Sequence, residues 1–151
     1  MPRTMMPQAH GTVIVVDDVE AMRDVILAYL RKWDAQLTLV SASNAQQALA
    51  MVESYGSLGP DPNERVVVIS DLRMPGLDGM TLLRSLAGSP FEVRTILMTA
   101  FPDDGVHDRA MELGALACFA KPFELDALAE VVWRAVHDAH AANEAPPNGT
   151  T

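Results

Sequence analysis

Short unbroken apolar runs alternate along this chain with longer stretches whose apolar positions recur every three or four residues. Thr12 to Val16 (TVIVV), Leu37 to Ala42 (LTLVSA), Val66 to Ile69 (VVVI), Arg94 to Met98 (RTILM) and Ala117 to Ala120 (ACFA) read as five strands. The first and third, continuous and rich in β-branched residues, suit burial on both faces. Between strands one and two, Glu20 to Trp33 repeats Met22, Ile26, Tyr29, Leu30 and Trp33 at helical spacing, with Arg23, Asp24, Arg31 and Lys32 mostly on the other side. Tyr29 and Trp33 are therefore expected in the core. Asn44 is the expected N-cap of a second helix through Ala45, Ala48, Leu49 and Val52, which stops around Gly56. A third helix runs from Met80 to Ala87, ahead of a turn at Gly88 to Pro90. Pro102, Asp103 and Asp104 suit the start of a fourth, through Val106, Ala110 and Met111 to Gly114. The last, Glu124 to about Ala141, presents Leu125, Leu128, Val132, Ala135 and Val136 on one face. Five alternations of strand and helix predict a doubly wound α/β fold: a mainly parallel sheet with helices on both faces and right-handed crossovers.

Punctuation between these elements sets the domain plan. Residues 1–10 read as a flexible leader, 11–141 as one domain and 142–151 as a disordered tail. Gly56 to Asn63 (GSLGPDPN) has the Gly and Pro content of an irregular loop and reads as a tolerated surface loop ahead of the alternative, a partner-binding insertion. At 151 residues, roughly half of them apolar, the chain can bury one good core.

Charge and cysteine usage narrow the classes of function. A formal charge of −9 argues against general nucleic-acid or anionic-membrane binding, which needs clustered Lys and Arg. Cys118 is the single cysteine, so no intrachain disulfide forms, and a reducing, cytoplasmic setting is the expectation. No apolar run approaches membrane-spanning length, and MPRTMMPQAHG lacks the apolar region of a secretory signal.

The chemistry lies at the strand ends. Strand one runs into Asp17 and Asp18, strand three into Asp71 and a Pro75/Gly79 turn, strand four into Thr99, and strand five into Lys121 and Pro122. In a parallel doubly wound sheet these ends share one edge, so residues far apart in sequence converge there. Three carboxylates together repel one another unless a cation is present, and an all-oxygen site suggests magnesium with a phosphate substrate. One carboxylate can then attack phosphorus to form an acyl phosphate, a role assigned to Asp71. Lys121 and Thr99 would supply the ammonium and hydroxyl that phosphoryl transfer requires.

With these residues in this order, the chain resembles a response regulator receiver domain, the phospho-accepting module of bacterial two-component signalling. The marks are Asp17 with Asp18, the run DLRMPGLDG from Asp71, Thr99 with Ala100, and KPF from Lys121; the likeness covers about Gly11 to Ala139. It implies a flavodoxin-like (βα)5 fold with strand order 2-1-3-4-5. It implies that Asp71 is phosphorylated from a histidine of a sensor histidine kinase or histidine phosphotransfer protein. Magnesium would be held by Asp18, Asp71 and the main-chain oxygen of Arg73, with Asp17 acting mainly through water. The Lys121 to Pro122 bond would be cis, and Thr99 and its loop would move toward the phosphoryl group. Such a protein catalyses only its own phosphorylation and dephosphorylation. It switches the face formed by the fourth helix, fifth strand and fifth helix for a downstream protein target, and a phosphorylation-dependent homodimer is a further expectation. Direct nucleic-acid and membrane partners are not expected.

One mark of the family is missing. The aromatic residue usual three places before the lysine is replaced by Cys118, while Phe119, one step later, should point the opposite way. Phe101, two places after Thr99, is the alternative aromatic readout, and Arg73 with Phe101 would limit water access and prolong the phosphorylated form. His137 and His140 share a helical face without further ligands, which reads as a solvated helix end rather than a metal site; His10 and His107 read as surface groups. Cys118 is expected as a small core residue.

The same residues bear on rival functions. Acids where a nucleotide or flavin site needs Gly and backbone donors disfavour that site. A haloacid-dehalogenase-like phosphatase would space its two Asp one residue apart, and Asp17 and Asp18 are adjacent. A phosphorylation-independent receiver-like scaffold draws its support from Cys118. Residues 142–151 are expected to be too few for an output domain, so a single-domain regulator and a receiver fragment of a hybrid kinase or longer regulator both stand.

Overall fold

The structure, a computed structural model, describes residues 10–57, 64–74, 76, 78–89, 92–100 and 103–137. Five strands and five helices alternate: β1 His10–Val16, α1 Glu20–Trp33, β2 Thr38–Ala42, α2 Ala45–Ser57, β3 Glu64–Asp71, α3 Gly79–Leu86, β4 Val93–Thr99, α4 Asp104–Glu112, β5 Ala117–Ala120 and α5 Leu125–His137. The sheet has the order β2-β1-β3-β4-β5, and every neighbouring pair is parallel. This is the doubly wound, flavodoxin-like (βα)5 fold, with the strand order expected from the sequence.

Alternation along the strands divides the core between the two faces of the sheet. Val13, Val15, Val67, Ile69, Ile96 and Met98 pack with Ile26 and Leu30 of α1 and with Leu128, Val132 and Val136 of α5. Their neighbours Ile14, Val16, Val66 and Val68 point the other way, against Ala45, Ala48 and Val52 of α2 and Leu82 and Leu86 of α3. Leu97 meets Leu83 and Ala110 between α3 and α4. Burying each such Val, Leu or Ile contributes roughly 1.5–3 kcal/mol, so the hydrophobic term fixes the register of the central strands.

The helix ends follow from local hydrogen-bonding needs. Asn44 Oδ1 accepts from the Gln47 amide at 2.8 Å, and Asp78 and Asp103 do the same for Thr81 and Val106 at the starts of α3 and α4. After α4, Gly114 adopts a left-handed φ of 101°, its amide donating to Met111 and that of Ala115 to Ala110. This paired closure, one bond nested in the other, turns the chain into β5.

The expectation for Trp33 changes: it is 43% exposed, as Met111 of α4 is at 41%. Trp33 is the last residue of α1, and the helix buries Ile26 and Leu30 further back, so the indole caps the seam between Leu30, Leu37 and Trp133 with one edge in water. Helix α4 is short and contributes Ala110 to the core, leaving Met111 at its margin. The last helix begins at Leu125 instead of Glu124, whose carbonyl accepts from Ala127 and Leu128 as its cap. The leader to residue 9, the loop at 58–63, Pro75, Phe101, Pro102, His140 and the tail lie outside the described residues.

Candidate functional site

The C-terminal ends of β1, β3, β4 and β5 bring the sequence-predicted residues to one edge of the sheet. Asp71 is the last residue of β3 and pairs in register with Met98; Thr99 follows as the last residue of β4 and pairs with Ala120. Lys121 comes directly after β5, its amide donating to the Thr99 carbonyl at 2.7 Å, and its bond to Pro122 is cis. Beyond β3 the chain is pinned by the Leu72 amide on the Met98 carbonyl (2.8 Å) and the Gly79 amide on the Leu72 carbonyl (2.9 Å). A Cβ on Gly79 would fall 2.8 Å from the Asp71 carbonyl oxygen and 2.9 Å from Leu72 Cα, so the start of α3 approaches the tip of β3 as closely as glycine allows.

Among the described residues, Asp17, Asp18 and Asp71 form a group whose carboxylate oxygens lie within 4.8 Å of one another. Lys121 Nζ stands 3.4 Å from Asp71 Oδ2 and 3.7 Å from Asp17 Oδ2. Asp17 is fully buried, Asp71 half-buried and Asp18 exposed. One oxygen of Asp17, Oδ1, accepts from the Val19 amide at 2.9 Å, while Oδ2 is buried without a hydrogen-bond partner among the described residues. Burial pushes the Asp17 carboxyl above the usual range, and the charges of Asp71 and Asp18 add to this; the Val19 amide and Lys121 oppose it. A buried oxygen without a hydrogen bond among the described residues, 3.7 Å from the Lys121 ammonium and beside two further carboxylates, fits a hard cation bound through oxygen.

Arg23 escaped the sequence reading, which placed it on the solvated side of α1. It is half-buried; Nη1 donates to the Asp17 carbonyl oxygen at 2.6 Å and Nε to Ser41 Oγ at 2.7 Å. The available signal was its position six residues after Asp17, on the first turn of the helix. The N-cap of α1, Val19, offers no side-chain bond, so Asp17 and Arg23 anchor this entry to the helix.

The remaining candidates separate clearly. Cys118 packs with the cluster of Leu97, Ala110 and Ala115, whereas Phe119 joins the α1/α5 core and tilts against Phe123 with ring centroids 5.4 Å apart. Thr99 is buried, Ala100 and Pro122 are exposed, and Arg73 is exposed beside an open groove of about 620 Å³ lined also by Met74, Met80 and Val106. His137 Nε2 lies 3.4 Å from Asp34 Oδ2 and its ring leans on Trp133, 4.7 Å between centroids. His107 is exposed. No helix of the described residues is long and apolar enough to cross a membrane.

Comparisons with known proteins converge on one family. The family model of the response regulator receiver domain matches residues 13–133. The chain is 34% identical over 134 residues to the transcriptional regulatory protein FixJ of Bradyrhizobium diazoefficiens, across 87% of this chain and 60% of that protein. It is 32% identical over 120 residues to the sporulation initiation phosphotransferase F of Bacillus subtilis, across 80% of this chain and 89% of that protein. The crystal structure of FixJ-N superposes with a TM-score of 0.69 at 29% identity, covering 87% of this chain and 95% of that one. The chain thus spans less than two thirds of the first relative and most of the second.

Proposed function

This chain belongs to the response regulator receiver domain family, and from that premise we propose that Asp71 accepts a phosphoryl group from a phosphohistidine on a partner kinase or phosphotransfer protein. The observation that carries the reading is Lys121 Nζ at 3.4 Å from Asp71 Oδ2, beside carboxylate oxygens of Asp17, Asp18 and Asp71 within 4.8 Å of one another. Asp71 stands at the strand tip, half-buried, where its carboxylate can meet an incoming phosphorus while the bulk of the residue stays fixed by β3. Asp17, Asp18, Asp71 and the main-chain oxygen of Arg73 would hold magnesium, and the buried Asp17 Oδ2, without a hydrogen bond among the described residues, supports that assignment. When bound, the ion would neutralise the clustered acids and an oxygen of the transferring group.

The protein's own groups do the remainder. Lys121 holds a positive charge toward the acceptor carboxylate and would follow the phosphoryl oxygen that replaces one of its contacts. Thr99, one register step beyond Asp71 on the neighbouring strand, would give its hydroxyl to a second oxygen, and Ala100 leaves the loop room to follow. The main-chain bond between Lys121 and Thr99 ties the β4 and β5 ends together, so a shift of one reaches the other. The switched face would be that of α4, β5 and α5, and its partner a downstream protein. Arg73 and Phe101 would shield the phosphoryl group from water.

Incubation with acetyl phosphate and magnesium tests the reading. Wild-type protein should gain one phosphoryl group by intact mass and lose it to hydroxylamine. Asp71→Asn should gain none, and persistent aspartyl labelling of that variant would overturn the assignment. The scaffold reading, which rests on Cys118, predicts no labelling of either.

A further inference from the structure

Among the three acids, Asp18 is held least. Asp17 is fixed by burial and by the Val19 amide, and Asp71 by the last rung of β3. Asp18 is exposed, so the direction of its carboxylate follows the backbone that carries it. That backbone begins at the Asp17 to Asp18 peptide, and the carbonyl of that peptide is the group that receives Arg23 Nη1 at 2.6 Å. The same guanidinium reaches Ser41 Oγ at 2.7 Å, and Ser41 lies on β2, paired in register with Val15. A planar fork with donors at fixed angles therefore clamps one peptide plane to the neighbouring strand.

We propose, on the basis of the magnesium-dependent reading above, that Arg23 is a positioning residue: with Ser41 it sets the Asp17 to Asp18 peptide so that Asp18 faces the cation site. The guanidinium bonds the main-chain carbonyl of Asp17, so it acts through the backbone. A bare loop would still fold, because the strand and helix on either side are secured by burial of Val13 to Val16 and of Ile26 and Leu30. It would sample several orientations of the peptide, and cation binding would have to select one of them.

The test is calorimetric magnesium titration of the full chain, alongside amide hydrogen exchange at Asp18 and Val19 in metal-free protein. Arg23→Ala should weaken magnesium binding by about tenfold and speed both amides. Arg23→Lys retains the charge but carries all its donors on a single nitrogen, which cannot span the Asp17 carbonyl and Ser41 as the guanidinium fork does, so it should restore less than half of the loss on a logarithmic scale. Ser41→Ala should give a smaller loss in the same direction, and the double variant should be no weaker than Arg23→Ala, since both act through one clamp. At saturating magnesium the Arg23→Ala variant should take the phosphoryl group at the wild-type rate. Full rescue by lysine, or unchanged affinity and exchange in Arg23→Ala while the wild type binds magnesium, would overturn the proposal. Wild-type protein that binds no magnesium would instead remove the reading on which it rests.

Discussion

Cys118 and Phe119 occupy successive positions of β5 and project into different cores: the thiol toward Leu97 and Ala110, the phenyl ring toward Phe123 and the α1/α5 layer. An aromatic ring at the fifth strand is thus present but faces away from α4. The two residues carry separable loads. Phe119→Ala removes a ring from a half-buried contact and should destabilise the fold by about 2 kcal/mol in urea, below the range for fully buried rings. Cys118→Ala should cost less than about 1 kcal/mol. Neither should change acetyl phosphate labelling measured on folded protein, because neither side chain touches the acidic site.

The thiol also predicts a pH dependence. Burial raises the Cys118 pKa above its ordinary value. In the pH range where the unfolded chain has lost this proton the folded chain still holds it, so stability falls as pH rises. The contribution is complete below the ordinary thiol pKa, about 8.5, and declines above it. Urea midpoints of wild type and Cys118→Ala should therefore run parallel from pH 6 to about 8 and converge or cross toward about pH 10. Parallel curves throughout would assign the thiol an unperturbed, solvent-like environment. Alkylation by iodoacetamide at about pH 8.5 should be slower than for the urea-unfolded chain.

Lys121 is poised between two roles that pull in opposite directions. Its ammonium, 3.4 Å from Asp71 and 3.7 Å from Asp17, competes with any cation for the same oxygens. Removing it as Lys121→Ala should tighten magnesium binding: a unit charge at about 4 Å is worth about 1 kcal/mol even at a water-like dielectric, or about fivefold. The same substitution should slow phosphoryl acceptance by at least about tenfold, since the charge that follows the transferring oxygens is gone. Calorimetry and labelling together check the sign of each. Weaker magnesium binding in this variant would mean that Lys121 orders the acids rather than competing for them.

What the sequence disclosed and what it hid follows from the kind of interaction involved. Strands and helices were legible because burial writes itself into periodicity: Glu20 to Trp33 and Ala117 to Ala120 match the observed α1 and β5 residue for residue. The convergence of Asp17, Asp18, Asp71, Thr99 and Lys121 was legible because a parallel sheet sends every C-terminal end to one edge. Arg23 was hidden, since a guanidinium bonded to a main-chain carbonyl has no sequence period and reads as a solvated charge. Trp33 misled for a related reason: spacing identifies the face of a helix but not where the sheet beneath it ends.

Gly79 joins fold to site most directly. Its Cα sits where a side chain would strike the Asp71 carbonyl oxygen at 2.8 Å and Leu72 Cα at 2.9 Å, and both are backbone atoms that cannot swing aside. Alanine suits a helix better than glycine by up to about 1 kcal/mol, yet here the clash dominates, because overpacking against fixed atoms costs about 1–3 kcal/mol. Gly79→Ala should lose about 1–2 kcal/mol of stability on balance. The strain is relieved only by moving the tip of β3 or the start of α3, and β3 is held by pairing on both sides. Part of the shift falls on Asp71 itself, so half-saturating magnesium for acetyl phosphate labelling should rise in this variant. Gly88→Ala is the matched control: its nearest neighbour would be the Ser85 carbonyl oxygen at 3.7 Å, an ordinary contact, and labelling should be unchanged. Equal behaviour of the two variants in both urea unfolding and magnesium dependence would show that α3 can retreat from Asp71 freely, and that the close approach at Gly79 does not position the acceptor.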